Sequence, residues 1–125
     1  MNINELSGHV IGAAIEVHKM LEPGLLESAY EQCLCRELSL RGLVFESQVP
    51  LPLEYKGLHL KCGYRLDVVV EKRLIIELKS CQRIEPIHQA QLLTCLKLSN
   101  IRLGLILNFN ITLIRDGIVR IVNNL

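Results

Sequence analysis

The sequence predicts an α/β or α+β domain in which one β-layer is flanked by helices. Three observations carry that expectation. Apolar residues recur at helical spacing through the first 21 positions. The stretch Tyr64 to Lys79, YRLDVVVEKRLIIELK, places two β-branched aliphatic runs on either side of the charged break Glu71, Lys72, Arg73 and reads as a β-hairpin. The remaining elements follow in the order α, α, β, β, β, β, α, β, β, β, which a single layer with helices packed on it accommodates. A chain of 125 residues, half of them apolar, suits one domain over residues 1–125 with a sizeable core and no room for a second.

Ile3, Leu6, Val10, Ala13, Ala14, Val17 and Leu21 form the buried stripe of a first helix, Ile3 to Leu21, closed by Glu22-Pro23-Gly24. His9 and His18 fall on different parts of its surface and read as packing or cap residues rather than ligands. A second helix is expected from about Leu25 to Leu40, with Leu25, Leu26, Ala29, Tyr30, Cys33, Leu34 and Leu38 buried and Gly42 as its stop. Val44 to Tyr55 holds Pro50 and Pro52 and reads as a bent or edge strand. Lys56-Gly57 is a turn, and Leu58 to Cys62 a short strand leading into the hairpin. A third helix, Pro86 to Leu98, carries His88, Gln91 and Cys95 along one side and buries Leu92, Leu93 and Leu96. Three strands end the chain: Leu103 to Phe109, then Ile111 to Ile114 and Ile118 to Val122 joined at an Asp116-Gly117 turn.

The hairpin register decides where its charges go. A three-residue loop pairs Val70 with Leu74, Val68 with Ile76, Asp67 with Glu77 and Leu66 with Leu78. One face then carries Leu66, Val68, Val70, Leu74, Ile76 and Leu78, the other Arg65, Asp67, Val69, Ile75, Glu77 and Lys79. A one-residue slip scatters the charges, and burial at roughly 1.5 to 3 kcal/mol per aliphatic side chain favours the first register. Two carboxylates opposite each other repel unless something neutralises them. A divalent cation would do so, since oxygen ligands suit magnesium and manganese. So would a charge lattice in which Arg65 and Lys79 pair diagonally with Glu77 and Asp67. Glu27 is open in the same way: a dipole partner in a helix's first turn, or, with Tyr30 and Glu31, part of a polar strip overhanging the charged face.

A net charge of +1 gives no global basic field, so any nucleic-acid site must be a local patch, for which Lys61, Arg65, Lys72, Arg73, Lys79 and Arg83 are at hand. Cys33, Cys35, Cys62, Cys81 and Cys95 lack zinc-site spacing and are odd in number, as expected of reduced, mostly buried thiols in a cytoplasmic protein. No signal peptide or membrane span is read, the apolar stretch Val10 to Ile15 being short and bracketed by Glu5 and Glu16.

Asp67, followed ten residues on by Glu77-Leu78-Lys79, resembles the D…(D/E)XK signature of the PD-(D/E)XK nuclease superfamily. Gly24-Leu25-Leu26-Glu27-Ser28-Ala29-Tyr30 resembles the motif that names its GxxExxY family. His18, Tyr55-Lys56-Gly57, Tyr64-Arg65-Leu66-Asp67, His88 with Gln91, and Asn108-Phe109 are similar to that family's other blocks, in order. The resemblance implies a restriction-endonuclease-like core: a central mixed sheet with the Glu27 helix packed across it. It also implies hydrolysis of nucleic-acid phosphodiesters, with magnesium or manganese held by Asp67, Glu77 and the Leu78 carbonyl. Glu27 would complete the acidic cluster and Lys79 position or activate water, with Gln91, His88 and Arg65 toward the substrate. Cys95 stands where a QxxxY motif has its tyrosine, and Leu66 where the signature has proline. The chemistry agrees, because phosphodiester hydrolysis needs a nucleophile made at neutral pH and charge neutralised at phosphorus. Two classes of function remain: a metal-dependent nuclease, or a binding or assembly module that keeps the fold without turnover. DNA against RNA, endo against exo cleavage, and self-association as a homo-oligomer are all left open.

Overall fold

The structure, a computed structural model, describes residues 1–60 and 64–125. Lys61 and Cys62, counted above among the basic residues and the thiols, lie outside the described residues. The order is α1 (Ile3–Leu21), α2 (Glu27–Leu40), β1 (Phe45–Tyr55), β2 (Leu58–Val70), β3 (Leu74–Lys79), α3 (Pro86–Ser99), β4 (Leu103–Asn108), a short 3₁₀ turn (Ile114–Gly117) and β5 (Ile118–Val122). The strands form one mixed sheet in the order β1-β2-β3-β4-β5. Only β3 and β4 run parallel, because α3 carries the chain back across the sheet between them; the other pairs are antiparallel.

Helices cover both faces. Leu6, Val10, Ala13, Ala14 and Val17 of α1 and Tyr30, Leu34 and Leu38 of α2 pack on Val68, Val70, Leu74, Ile76, Leu78, Leu105 and Leu107. On the other face Leu92, Cys95 and Leu96 of α3 pack on Leu66, Val69, Ile75 and Ile106. This explains why β4 is buried at every position, as strands covered on both sides must be. In α3, Cys95 takes the buried place expected of Leu93, which is half-buried.

The first helix has the boundaries its periodicity predicts, with the Asn2 side chain accepting the Glu5 N–H at 2.8 Å as its N-cap. The second starts at Glu27, not Leu25: Leu25 and Leu26 are 41% and 77% exposed in the turn that precedes it. The two strands expected over Leu58 to Val70 are one, β2. The expected hairpin at Asp116-Gly117 is absent. β5 pairs with β4 directly, and the intervening residues wind into the 3₁₀ turn. Gly117 lacks the positive φ that such a hairpin turn needs. It is there for space, since a Cβ on it would lie 2.5 Å from the Asn108 carbonyl oxygen.

The three-residue loop holds: Val70 pairs with Leu74, Val69 with Ile75 and Val68 with Ile76. Val68, Val70, Leu74, Ile76 and Leu78 share the α1/α2 face as expected, but Leu66 packs on the α3 face. Alternation is therefore interrupted at Asp67, and the ladder to β3 stops at Val68. Across on β1, Gln48 takes a left-handed φ of 54° between its paired neighbours Ser47 and Val49. The irregularity releases Asp67 from regular pairing and leaves its side chain free to reach β3.

Candidate active site

Beyond the end of the β2–β3 ladder, side-chain chemistry replaces backbone pairing. Asp67 Oδ2 accepts the Leu78 N–H at 2.9 Å. Its carboxyl and that of Glu77 interact, each altering the other's hold on its proton. Both are half-buried. Burial, then the Asp67 charge beside it, pushes the Glu77 carboxyl up to about 8, although Lys79 pulls the other way. Asp67 is also raised, chiefly by burial and less by Glu27, against the opposing pull of the Leu78 N–H, Lys79 and Glu77. The protons belong to the pair rather than to either residue.

Among the described residues, ion pairs within 4.0 Å join Arg41 to Glu37 and Arg83 to Glu85, and none involves Asp67 or Glu77. The diagonal charge lattice is thus not formed. The basic residues disperse: Arg73 donates to the Met1 carbonyl at 2.8 Å and Arg83 holds Glu85, while Arg65 and Lys79 remain beside Glu77. They line a cavity of about 50 Å³ with Tyr64, His88, Gln91, Leu92, Cys95 and Ile106. Helix α3 supplies its wall as the spacing of His88, Gln91 and Cys95 implied. His88 Nδ1 accepts the Glu85 N–H at 3.0 Å, so the ring also caps α3 and a neutral imidazole carries its proton on Nε2. Cys95 is 3% exposed, and burial, then Glu77, pushes its thiol up to about 11.

Glu27 arrives from the opposite face. Its Oε1 accepts the Ser80 N–H at 3.3 Å, just past the end of β3, and its charge acts on both Asp67 and Glu77. Of the polar strip expected on α2, Glu27 alone bears on the two carboxyls, through its charge; its side chain is exposed and lies outside the cavity that Glu77 lines. Tyr30 is fully buried and Glu31 accepts from the Gln48 amide at 2.8 Å. Tyr30 matters differently. Its hydroxyl donates to the Glu22 carbonyl at 2.6 Å and accepts the Leu25 N–H at 3.1 Å, and its ring stacks on Phe109 at 4.5 Å. It thereby ties down the turn through Gly24, whose φ of 110° suits glycine, and fixes where α2 begins. Glycine, glutamate and tyrosine at this spacing are a turn, the group it places, and its clamp.

Two further residues position the site: Ser80, which its sequence context does not mark, and Asn108, noted above only as part of a block similar to the family's. Ser80 Oγ donates to the Leu25 carbonyl at 2.8 Å, joining α2's leading turn to the end of β3. Asn108 is buried, accepts the Cys81 and Asn110 N–H groups and donates to the Cys81 carbonyl at 3.0 Å. Its place after an aliphatic strand was the available signal, since a buried amide there must find partners. His18 is structural, its Nε2 donating to the Ile111 carbonyl at 2.7 Å.

A family model, the PD-(D/E)XK nuclease superfamily, matches residues 4–121, nearly the whole chain. The chain belongs to the PD-(D/E)XK nuclease superfamily. No curated protein and no solved structure gives a significant match. Membership suggests nuclease activity on nucleic acid, and nucleases of this superfamily generally use divalent metal ions. Among the described residues no three His, Cys, Asp or Glu side chains cluster as a metal-holding group. The donor set nonetheless fits magnesium or manganese: Asp67 and Glu77 are hard oxygen ligands, and magnesium is commonly held by one or two carboxylates, its other positions going to water and substrate phosphate. No helix among the described residues is long and apolar enough to cross a membrane.

Proposed function

We propose that this PD-(D/E)XK protein is a metal-dependent nuclease of the GxxExxY type that hydrolyses nucleic-acid phosphodiesters. The observation that carries the reading is a pair of half-buried carboxyls, the charge of one raising the cost of ionising the other, that form no ion pair among the described residues, with a lysine alongside. Such an arrangement destabilises the fold when ionised and rewards a bound cation. The unit formed by Gly24, Glu27 and Tyr30 supports the GxxExxY assignment, and the free thiols at Cys33, Cys35, Cys81 and Cys95 support a reducing, cytoplasmic setting.

In this mechanism Asp67 and Glu77, with the Leu78 carbonyl, would hold magnesium or manganese. The ion supplies a nucleophile at neutral pH and neutralises charge at phosphorus. Glu27, oriented by the Ser80 N–H, adds negative charge that helps retain the cation. Lys79 would position or activate the attacking water and offset charge developing on phosphorus. Arg65 and Gln91 hold the substrate at the mouth of the cavity, and His88 presents its Nε2 to it.

The test separates ligands from the lysine. Asp67→Ala should abolish both the metal-induced rise in melting temperature and cleavage. Lys79→Met should bind metal at least as well as the parent, because a repelling charge is gone, yet cleave about 10² to 10⁴-fold more slowly. A panel of single- and double-stranded DNA and RNA with manganese supplies the substrates. Parent protein that binds metal but cleaves none of them would assign the chain to the binding or assembly class.

A further inference from the structure

Beside the cavity that holds Glu77 and Lys79 lies a second, larger groove of about 360 Å³, and the two share Tyr64 and Arg65 as walls. Its other walls are Pro50, Leu51 and Pro52 of β1 and His59 and Leu60 of β2. Tyr64 is 39% exposed, an aromatic ring left open to solvent at the junction of the two spaces. β1 is an edge strand, but proline has no N–H to offer, so this part of the edge is a poor template for another strand. The register between β1 and β2 also shifts here, between Leu51 and Leu53. The groove is therefore suited to a flat apolar ligand with a polar rim, set beside an anion.

Resting on the nuclease reading, we propose that this groove binds one unpaired nucleobase of the substrate strand, stacked on Tyr64, while Arg65 holds the adjoining phosphate. Three features support that occupant. The groove adjoins the candidate active site, sharing Tyr64 and Arg65 with the cavity that holds Glu77 and Lys79. Proline rings, leucine and tyrosine offer apolar faces to a base, with His59 able to hydrogen-bond its edge. Arg65 stands between the two spaces with a permanent charge and a planar fork that matches phosphate. A base paired in a duplex cannot enter, so the groove selects single strands.

Binding is measured without cleavage, by fluorescence anisotropy in EDTA, with labelled oligothymidylate, oligouridylate and a DNA duplex of equal length. The parent is expected to favour the single strands. Tyr64→Ala should weaken single-strand binding about 5- to 150-fold, the measured range for loss of one stacking platform, and leave duplex binding unchanged. Tyr64→Phe, which keeps the ring, should bind like the parent. A preference between the two oligonucleotides assigns the strand as DNA or RNA, and equal binding supports stacking without sugar readout. A parent that favours duplex, or a Tyr64→Ala protein within twofold of the parent on single strands, overturns the proposal even if the protein cleaves duplex. Conversely, Tyr64-dependent binding by a protein that cleaves nothing in magnesium or manganese retains the groove and overturns the nuclease reading.

Discussion

Replacing Glu77 by glutamine should make the metal-free protein more stable at pH 8 and less dependent on pH than the parent. Glu77 titrates at about 8 in the fold against an ordinary 4.5, because burial and the Asp67 charge oppose its ionisation. A carboxyl raised in this way binds its proton more tightly when folded than when unfolded. Its stabilisation is complete below about pH 4.5 and is lost as pH rises through 8. At about 1.4 kcal/mol per pH unit, the displacement from 4.5 to about 8 corresponds to at most roughly 4 to 5 kcal/mol. For a domain of this size that is a fall in melting temperature of roughly 15 to 20 °C. Asp67 is raised too and adds to the same slope. Glutamine keeps the shape and removes the charge, so Glu77→Gln should lose most of the slope and retain what Asp67 contributes. The assay is urea unfolding in EDTA at pH 5, 6, 7 and 8, with the variant as control for every other source of pH dependence. Excess magnesium should restore the parent selectively at pH 8, where the ligands are ionised, and do little for the variant. A parent whose stability is flat or rises from pH 5 to pH 8, with the variant parallel to it, would refute the reasoning. The two carboxyls would then be ordinary solvated groups.

The clamp on the leading turn of α2 can be tested with Tyr30→Phe. It removes one hydroxyl joining the Glu22 carbonyl to the Leu25 N–H, and should cost about 1 to 3 kcal/mol in urea unfolding while lowering cleavage through a displaced Glu27. Unchanged stability would show that water replaces the hydroxyl. Asn108→Ala strips two hydrogen bonds from Cys81 after β3 and one from Asn110 after β4 and should cost a similar amount or more, with hydrogen exchange rising at Cys81 and Asn110. Protection of those amides equal to the parent's would refute its positioning role. Cys95, buried with a thiol pushed up to about 11, should stay unlabelled by iodoacetamide at pH 8 in the native protein and react on unfolding. Rapid native labelling would mean that the α3 face opens.

Periodicity decided the elements with one burial direction each. α1 has the limits its apolar stripe implies, the three-residue loop of the central hairpin follows from the aliphatic face, and α3 presents His88, Gln91 and Cys95 where their spacing puts them. Asp67, Glu77 and Lys79 were legible as a unit because ten residues of a tight hairpin bring them together whatever the rest of the chain does. The departures arose where a local pattern met a non-local constraint. Leu25 and Leu26 look like the start of an apolar stripe, but Tyr30 holds their turn outside the helix. Asp116-Gly117 looks like a hairpin, but β4 takes β5 as its partner and Gly117 serves close approach to Asn108. Leu66 should follow Val68 by alternation, yet the interruption at Asp67 sends it to the α3 face. The sequence by itself determined which residues could carry the chemistry, through local spacing and residue type. Only the tertiary structure decided that neither Arg65 nor Lys79 forms an ion pair with the two carboxyls, that Glu27 is held at Ser80 where its charge bears on them, and that Tyr64 walls two cavities. Those facts depend on contacts between segments distant in sequence, whose energies no window along the chain contains.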